Sequence, residues 1–288
     1  MTTAALVTIV SVSYNSMAVL PAMLASVPVN AVVVVVDNAS DQIEDLRNLC
    51  QSRGAKLVES PENMGFGVAC NSGAALATTE FLLFLNPDAT LAANTLDHLV
   101  AAARRYPKAS AMNPRIIDIN GRAYFKRRSD LMPRREWMAR GWPAQDSEIT
   151  VLSGSALFVR RTDFAAVGGF DPAIFLYYED DDLSRRLRDE RGPILFVRAA
   201  VVQHQRGNSS ARSLKTAAFK AWHMARSRVY ATRKHQRPLP FLAALTSAIL
   251  GLLAPDMLWS AYRRGKNAAY FTGVLSTLRD GGHTRKEP

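Results

Sequence analysis

The chain has 288 residues, of which 48% are apolar and 21% charged, a composition typical of a globular protein with a full core. This length predicts one large domain, or one domain with an appendage. The two cysteines, Cys50 and Cys70, lack metal-ligand and redox spacing. That argues against both kinds of site and favours free structural thiols in a reducing cytoplasm.

The formal net charge of +11 is divided unevenly along the chain. Residues 1–190 contain 19 Lys and Arg against 22 Asp and Glu, a net of −3, whereas residues 191–288 contain 17 against 3, a net of +14. This asymmetry predicts a polyanionic partner such as nucleic acid, an anionic membrane or a phosphorylated substrate; a solvated basic face is the alternative. Without an interleaved aromatic surface or a reading motif, we expect no nucleic acid.

The first 100 residues alternate between strand and helix patterns, which predicts an α/β fold with an open, mostly parallel sheet and helices on both faces. The predicted strands are 6–12, 31–36, 56–59 and 81–85. The predicted helices between them are 16–26, 41–53 with Ser40 as N-cap, and 67–77. Ligands in such sheets bind beyond the carboxyl ends of the strands.

Polar side chains follow each of the four predicted strands. They are Tyr14 and Asn15, Asp37 and Asn38, Glu59 to Asn63, and Asn86-Pro87-Asp88. Turn chemistry alone explains any one of these segments. Their repetition at four strand ends favours a binding site.

The pattern becomes less regular after a predicted helix at 92–106. The Arg-rich range 104–142 predicts strands and a long, mobile loop. Further along we expect a strand at 152–159, a helix at 180–190, strands at 194–197 and 200–204, and a basic helix at 211–234.

Residues 239–254 carry no charge and are flanked by Lys and Arg. A membrane-spanning helix needs about 20 apolar residues, so this stretch is short for one. It predicts an interfacial helix with basic anchors; a buried core helix is the alternative.

An acidic row, Glu179-Asp180-Asp181-Asp182, follows directly after the four bulky apolar residues Phe175 to Tyr178. Mutual repulsion and an apolar neighbourhood raise the pKa of at least one carboxyl group in such a cluster. A carboxylate tuned in this way can serve as a general base near neutral pH. The alternative is an acidic helix N-terminus, which the helix dipole favours.

The ordered set of motifs resembles the family-2 glycosyltransferases, and in particular the bacterial rhamnosyltransferase-like enzymes of cell-surface polysaccharide assembly. The similarity extends over about residues 6–235. The segments that carry it are Val12-Ser13-Tyr14-Asn15, Val36-Asp37-Asn38, Asn63-Met64-Gly65-Phe66-Gly67, Asn86-Pro87-Asp88, Gly168-Gly169-Phe170-Asp171, Tyr178-Glu179-Asp180 and Val202-Gln203-His204.

The resemblance implies a GT-A fold, with a Rossmann-like, mostly parallel sheet and a C-terminal helical extension. It implies a catalytic domain over 1–210, divided into a nucleotide-sugar half (about 1–90) and an acceptor half (about 91–210). The basic helical region 211–288 would associate with a membrane.

The resemblance also implies roles for individual residues. Asp37 would contact the nucleoside, with Tyr14 and Asn15 beside the base or ribose. Arg226 would bind the diphosphate, although a solvated helix arginine is an equal alternative. The remaining nucleotide-sugar residues would be Asn38, Asn63, Gly65, Asn71 and Asn86.

The family's metal-binding Asp-x-Asp is replaced here by Asn86-Pro87-Asp88. The loss of one carboxylate leaves Asp88, with His204 completing the site, for Mn²⁺ or Mg²⁺; the imidazole favours Mn²⁺. Asp180 aligns with the family's base and Glu179 would support it. Because Asp181 stands where the family has an apolar residue, either aspartate remains a candidate for proton transfer.

Asp182 is expected to cap the helix or to pair with Arg185 and Arg186. The implied function is inverting transfer of a sugar from a dTDP- or UDP-sugar, best dTDP-L-rhamnose, to a lipid-linked or glycan acceptor. The implied place is the cytoplasmic, inner face of the cell membrane. The alternative is a non-catalytic sugar-nucleotide-binding protein of a polysaccharide assembly complex.

Overall fold

A computed structural model describes residues 2–205, 213–257 and 259–279. Parts of the predicted C-terminal region, namely 211–212, Leu258 and 280–288, lie outside the described residues. The predicted α/β fold is confirmed by the sheet, the helices on both of its faces and the C-terminal helices.

The first half of the chain builds five strands and four helices in alternation. They are β1 (Val7–Ser13), α1 (Leu20–Ser26), β2 (Val32–Asp37), α2 (Ile43–Ser52), β3 (Lys56–Glu59), α3 (Phe66–Ala74), β4 (Phe81–Leu85), β5 (Ala89–Leu91) and α4 (Thr95–Arg105).

The second half adds five strands and five helices within the described residues. They are β6 (Ala111–Ile117), β7 (Ala123–Tyr124), β8 (Ser147–Ile149), β9 (Ala156–Arg160), α5 (Arg161–Ala166), α6 (Glu179–Glu190), β10 (Ile194–His204), α7 (Leu214–Lys234), α8 (Pro240–Leu252) and α9 (Ala261–Ser276).

The sheet runs in the order β3-β2-β1-β4-β9-β6-β10-β5, and its first four strands are parallel. Strands β1 and β4 are buried along their whole length, as expected for strands covered on both faces. Helices α1, α2 and α4 pack on one face, and α3, α5 and α6 on the other. The carboxyl ends of β1, β2 and β4 therefore meet along one edge of the sheet.

The other half of the sheet is mixed. Strand β9 is antiparallel to both of its neighbours, β4 and β6. Strand β10 runs parallel to β6 but antiparallel to β5 and β8. The prediction of two separate strands at 194–197 and 200–204 is wrong, because β10 is continuous and absorbs the interruption as a register shift between Val197 and Val201.

Ser40 is not an N-cap, which corrects the prediction for α2. The helix begins at Ile43 with Gln42 at the N-cap position. Ser40 is held one turn earlier, because its backbone N–H donates to the Asp37 carboxylate at 3.1 Å and its hydroxyl accepts from the N–H of Asn15 at 2.9 Å. The residue is thus part of the connection between the ends of β1 and β2.

The C-terminal helices pack against one another around a small apolar cluster. Its buried members are Ala225, Val229, Ala244, Ala248 and Val274, from α7, α8 and α9. Small side chains at these positions let the helix backbones approach closely. Gly273 shows this best, because a Cβ there would lie 2.5 Å from the carbonyl oxygen of Trp222.

Candidate active site

A cavity of about 980 Å³ opens at the carboxyl ends of the parallel strands. It is closed by the start of α6, the end of β10 and one face of α7. Ten of the predicted site residues line it: Tyr14, Asn38, Asn63, Gly65, Asn86, Asp88, Glu179, Asp180, Asp181 and His204. The strand ends and the acidic row, which are far apart in sequence, therefore face one common space.

Asn38 joins the ends of β2 and β3. Its side-chain NH₂ donates to the side-chain oxygen of Asn63 at 2.8 Å, and its own side-chain oxygen accepts from the N–H of Met64 at 2.9 Å. Because both amides are engaged in fixed directions, they shape this wall of the cavity.

Gly65 is required by a close backbone approach. Its φ is +87°, and a Cβ would lie 2.4 Å from the carbonyl oxygen of Phe175. That same carbonyl accepts from the N–H of Phe66 at 3.1 Å. The segment that precedes the acidic row is thereby fixed to the start of α3.

The structure does not bring four of the predicted nucleotide-sugar residues to the cavity lining, namely Asn15, Asp37, Asn71 and Arg226. Asp37 is buried behind it and accepts from Ser40. Asn71 instead binds the backbone of Phe170 in both directions, donating at 2.8 Å and accepting at 2.9 Å. This pair of bonds fixes α3 to the Gly-Gly-Phe-Asp segment.

Arg226 lies between α7 and α9. Its guanidinium stacks 4.6 Å from the centre of the Trp222 ring and donates to the Ser276 hydroxyl at 2.7 Å. Only 1% of the residue is exposed. In this arrangement the side chain has a packing role and does not reach a ligand in the cavity.

Asp88 and His204 meet in the lining of the same cavity. The Nε2 atom of His204 lies 3.0 Å from Oδ1 of Asp88. The pairing of β5 with β10 brings them together, since Ala89 is the partner of His204 in that ladder. Two buried atoms of this pair, Asp88 Oδ2 and His204 Nδ1, have no hydrogen-bond partner among the residues that the structure describes.

The Asp88–His204 pair fits a divalent cation, because a carboxylate oxygen and an imidazole nitrogen are ligands that Mn²⁺ accepts, and Nε2 and Oδ1 already face each other. The buried Oδ2 of Asp88 would gain a partner from a bound cation, which offsets the cost of leaving it unsatisfied. No group of three His, Cys, Asp or Glu side chains suited to a metal occurs in the part of the chain that the structure describes. The protein would therefore supply two ligands of this kind, with Asn86 beside them.

The acidic row forms the first turn of α6. The two residues before it, Tyr177 and Tyr178, have left-handed φ values of 65° and 71°, which is unusual for side chains of this size. This sharp turn places Glu179, Asp180 and Asp181 in the cavity wall. The Asp180 carboxylate accepts a hydrogen bond from the backbone N–H of Gly154 at 2.8 Å.

The three carboxyl groups differ in ionisation. Burial, and then the charge of Asp180, raises the pKa of Glu179 to about 8. Burial also raises the pKa of Asp180, but the Lys126 ammonium outweighs it and leaves that pKa below its ordinary value. Burial raises the pKa of Asp181 to about 6 against the opposing effect of Lys126. At neutral pH, Asp180 is therefore ionised, Asp181 is mostly ionised and Glu179 is mostly protonated.

Asp182 points away from the cavity and has no exposed surface. It pairs with Arg186 at 2.7 Å, as predicted, whereas Arg185 pairs with Asp189. Lys234 at 2.8 Å and His235 at 2.7 Å also contact Asp182 from the end of α7. Burial alone would raise the pKa of Asp182, but these donors outweigh burial and lower that pKa to about 2.

Sequence reasoning missed the lysine that contacts the acidic row. The Nζ atom of Lys126 lies 2.8 Å from Asp180 Oδ2 and 2.5 Å from Asp181 Oδ2. The Arg-rich character of 104–142 was the available signal, but it does not single out one position. Other lining residues outside the predicted set include Arg128, Trp137, Ser153, Phe175, Thr216, Phe219, Lys220 and Met224.

Large apolar side chains are exposed together near the C-terminal helices. We call them the C-terminal apolar patch: Leu239, Leu242, Ile249, Leu250, Leu253, Trp259 and Tyr262. Trp259 is 80% and Leu253 74% exposed, and the basic residues Arg263, Arg264 and Lys266 follow. Across the described ranges, no helix has both the length and the apolar character that a bilayer crossing requires.

Comparison with known proteins identifies the family. The model described as Glycosyl transferase family 2 matches residues 8–168, more than half of the chain. This chain belongs to glycosyl transferase family 2. It is 30% identical over 209 residues to the N-acetylglucosaminyl-diphospho-decaprenol L-rhamnosyltransferase of Mycobacterium tuberculosis, covering 62% of this chain and 68% of that protein.

Two solved structures share the fold of this family-2 glycosyltransferase. A structure of GalNAc-T7 with UDP, GalNAc and Mn²⁺ superposes with a TM-score of 0.61 at 17% identity, covering 95% of this chain and 56% of that one. The mannosyltransferase PcManGT from Pyrobaculum calidifontis, in complex with GDP-Man and Mn²⁺, gives 0.59 at 18% identity, covering 96% and 87%. The chain thus spans little more than half of GalNAc-T7, and these likenesses show the GT-A fold alone.

Proposed function

We propose that this family-2 glycosyltransferase moves a sugar from a nucleoside diphosphate-sugar to an acceptor hydroxyl, with inversion at the anomeric carbon. The observation that carries this proposal is the shared cavity, which is lined both by the ionised Asp180 and by the Asp88–His204 pair. An inverting transfer needs a base on one side of the anomeric carbon and charge stabilisation on the other.

In the proposed reaction Asp180 is the base. The acceptor oxygen forms a bond to the anomeric carbon while the bond from that carbon to the diphosphate breaks. The hydroxyl proton passes to Asp180, and the electron pair of the broken bond leaves with the nucleoside diphosphate. Two contacts, from Gly154 and Lys126, hold the Asp180 carboxylate in place for this transfer.

Asp88 and His204 would hold a divalent cation, with Mn²⁺ favoured over Mg²⁺ by the imidazole. When bound, such a cation stabilises the negative charge that develops on the diphosphate. Lys220 lines the same cavity and adds positive charge there. Asn38, Asn63 and Tyr14 form the adjoining wall, where the nucleoside would lie.

The similarity to the mycobacterial L-rhamnosyltransferase supports dTDP-L-rhamnose as the donor and a lipid-linked diphosphate as the acceptor. That relative's name gives L-rhamnose as the sugar and a diphospho-decaprenol in the acceptor. A UDP-sugar donor and a glycan acceptor remain within the same chemistry. The domain boundaries that we expect, 1–210 and 211–288, belong to this proposal.

We also propose that the C-terminal apolar patch rests on an anionic membrane surface. Exposed leucines beside Trp259 and a run of basic residues combine apolar burial with attraction to anionic headgroups. The concentration of positive charge in residues 191–288 favours the same partner. A lipid-linked acceptor would then reach the enzyme at the inner face of the membrane.

Thermal stabilisation by nucleoside diphosphates tests the donor class first. The protein is titrated with dTDP, UDP and GDP, each with and without Mn²⁺, and transition temperatures are compared. A ligand that binds only the folded state stabilises it by RT ln(1 + [L]/Kd), about 2.7 kcal/mol at one hundred times Kd. We expect an Mn²⁺-dependent shift, largest for dTDP.

Donor turnover then separates the enzyme from the non-catalytic alternative. Release of dTDP from dTDP-L-rhamnose in the presence of a lipid diphosphate acceptor supports transfer. Binding of the donor without release, over a full set of acceptors and cations, would leave only the sugar-nucleotide-binding protein. Absence of any nucleotide-induced shift would overturn both.

A further inference from the structure

The carboxyl groups of the acidic row outnumber the cations beside them. Glu179, Asp180 and Asp181 all line the cavity, and Lys126 is the cation that contacts two of them directly. Tyr177, Tyr178 and Cys70, which carry no positive charge, also face the row. Arg128, Asp130, His204 and Lys220 line the same cavity. Because Lys126 touches two of the carboxylates, its ammonium favours their ionised forms directly.

The position of Lys126 is fixed from both sides, although it belongs to no helix or strand. Just before it, Phe125 packs edge-on against Phe196 of the sheet at 5.8 Å between ring centres. Just after it, the carbonyl of Arg127 accepts from the N–H of Met138 at 2.9 Å.

A second set of contacts holds the same segment to the helices of the site. Asp130 accepts from the Tyr178 hydroxyl at 2.9 Å and pairs with Arg228 at 2.9 Å. Glu136 pairs with Arg188 of α6 at 3.1 Å. Because the segment is joined to α6, to the residue before α6 and to α7, Lys126 meets the row in one defined geometry.

We propose that Lys126 is a positioning residue of the transfer reaction, whose ammonium keeps Asp180 ionised and aimed into the cavity by contacting Asp180 and Asp181 together. The inference rests on the proposed function, in which Asp180 is the base. Asp181 serves as the second anchor of the ammonium, which accounts for a carboxylate at the position where the family resemblance leads us to expect an apolar residue. Glu179, outside this contact, holds its proton.

Removal of the ammonium should change proton binding by the row in a predictable direction. With Lys126→Met, two buried carboxylates face each other without a cation, so one proton is retained to higher pH. The fraction of enzyme with Asp180 ionised then falls at neutral pH. Lys126→Arg preserves the charge, and Lys108→Met removes a charge from an exposed lysine elsewhere as a matched control.

The first measurement is the pH profile of kcat/KM for sugar transfer. We expect Lys126→Met to move the acidic limb upward by about one pH unit or more, so that the rate falls about tenfold at pH values below both limbs and approaches that of the original protein at higher pH. The Arg variant and the Lys108 control should keep the original limb. An unmoved limb in Lys126→Met, at any absolute rate, would overturn the proposal.

The second measurement does not depend on activity. A carboxyl group whose pKa is higher in the folded than in the unfolded protein costs stability as pH rises through that interval. The melting temperature of Lys126→Met should therefore fall, relative to the original protein, between pH 5 and pH 9. Parallel curves of melting temperature against pH for the two proteins would overturn the proposal. If the unmodified protein showed no sugar transfer, the proposed function would be overturned, but this stability measurement would still test the role of Lys126.

A double variant covers the case in which Lys126→Met does not fold. Lys126→Met with Asp181→Asn removes one carboxylate together with the ammonium, and we expect it to fold because the charge is balanced again. Its acidic limb should still lie above that of the unmodified enzyme, since Asp180 has lost its cation. A limb at the original position would contradict the assignment.

Discussion

His204 and Asp88 lie side by side although 116 residues separate them, with Nε2 of the histidine 3.0 Å from Oδ1 of the aspartate. The antiparallel pairing of β5 with β10 produces this contact, and the next backbone bond, from Gln205 N–H to the Asp88 carbonyl at 3.0 Å, reinforces it. The proposed cation site, with two protein ligands, would therefore depend on strand register as much as on residue type.

His204→Ala should weaken the Mn²⁺-dependent binding of the donor nucleotide. Loss of one of two protein ligands is expected to cost about tenfold or more in affinity, which lowers nucleotide stabilisation by about 1.4 kcal/mol. The check is the thermal shift with dTDP at fixed Mn²⁺. His98→Ala, at an exposed position of α4, is the matched control; equal shifts in both variants would argue against the cation site.

Asp180→Asn should abolish transfer and leave donor affinity within about threefold of the original value. The amide keeps the size of the side chain but cannot take the acceptor proton. Product release and nucleotide binding are measured on the same preparation. Normal turnover by this variant would assign the base elsewhere in the row, and Asp181→Asn is the next variant to measure.

Leu250→Glu with Leu253→Glu should reduce binding to vesicles that contain phosphatidylglycerol. Two leucines lose apolar burial of about 1.5–3 kcal/mol each, so partition should fall by more than about tenfold. Val29→Glu with Ile119→Glu adds the same charge at two other exposed apolar sites. Equal losses in the two pairs would point to net charge alone and against the C-terminal apolar patch.

Asp182→Asn should destabilise the fold by about 3 kcal/mol at pH 7, because Arg186, Lys234 and His235 lose their buried counter-ion. The depressed pKa of Asp182, about 2, stabilises the native state above the unfolded pKa. That contribution is lost as pH falls from about 4 to 2, so the variant should show a flatter stability profile there.

Denaturant unfolding across that pH range measures the difference for Asp182. Asp189→Asn is the control, since its pair with Arg185 is half exposed and should be worth less than about 1 kcal/mol. If the two variants lost equal stability, the burial of the Asp182 network would not be the source of the effect.

Gly65→Ala should cost more stability than Gly54→Ala. Both glycines have positive φ, but only Gly65 has a backbone atom where a Cβ would lie, whereas nothing lies within 4 Å at Gly54. The conformational cost common to both is about 1 kcal/mol, and the clash should add about 2 kcal/mol. Equal unfolding free energies for the two variants would contradict the close approach to Phe175.

The parallel half of the sheet could be predicted from sequence because each buried strand is a continuous apolar run followed by polar residues. Val32–Asp37 is the clearest case. The antiparallel insertion of β9 between β4 and β6 could not be predicted, because nothing in the local sequence of Ala156–Arg160 specifies the direction of the strand. Asp88 and His204 were paired by family resemblance, and the register of β5 and β10 supplies the physical cause.

The direction in which a side chain points also could not be predicted from the sequence. Arg226 is on the predicted helix, yet its rotation about the axis turns the guanidinium toward Trp222 and Ser276, away from the cavity. Lys126 was missed for another reason: it lies in an irregular segment, which offers no periodicity from which to infer where its side chain points. Ser40 failed as an N-cap because Asp37 and Asn15, rather than the helix, engage it.

The buried charge of Asp182 has a consequence for synthesis on the ribosome. Its partners Lys234 and His235 are translated more than 50 residues after it, at the end of α7. An emerging chain that has already formed α6 and β10 still contains an aspartate whose counter-ions are incomplete, and domains fold from the N-terminus as they appear. Packing around Asp182 should therefore be completed only after α7 has been synthesised. Ribosome-bound chains ending before Lys234 should be more sensitive to protease than those extending beyond it.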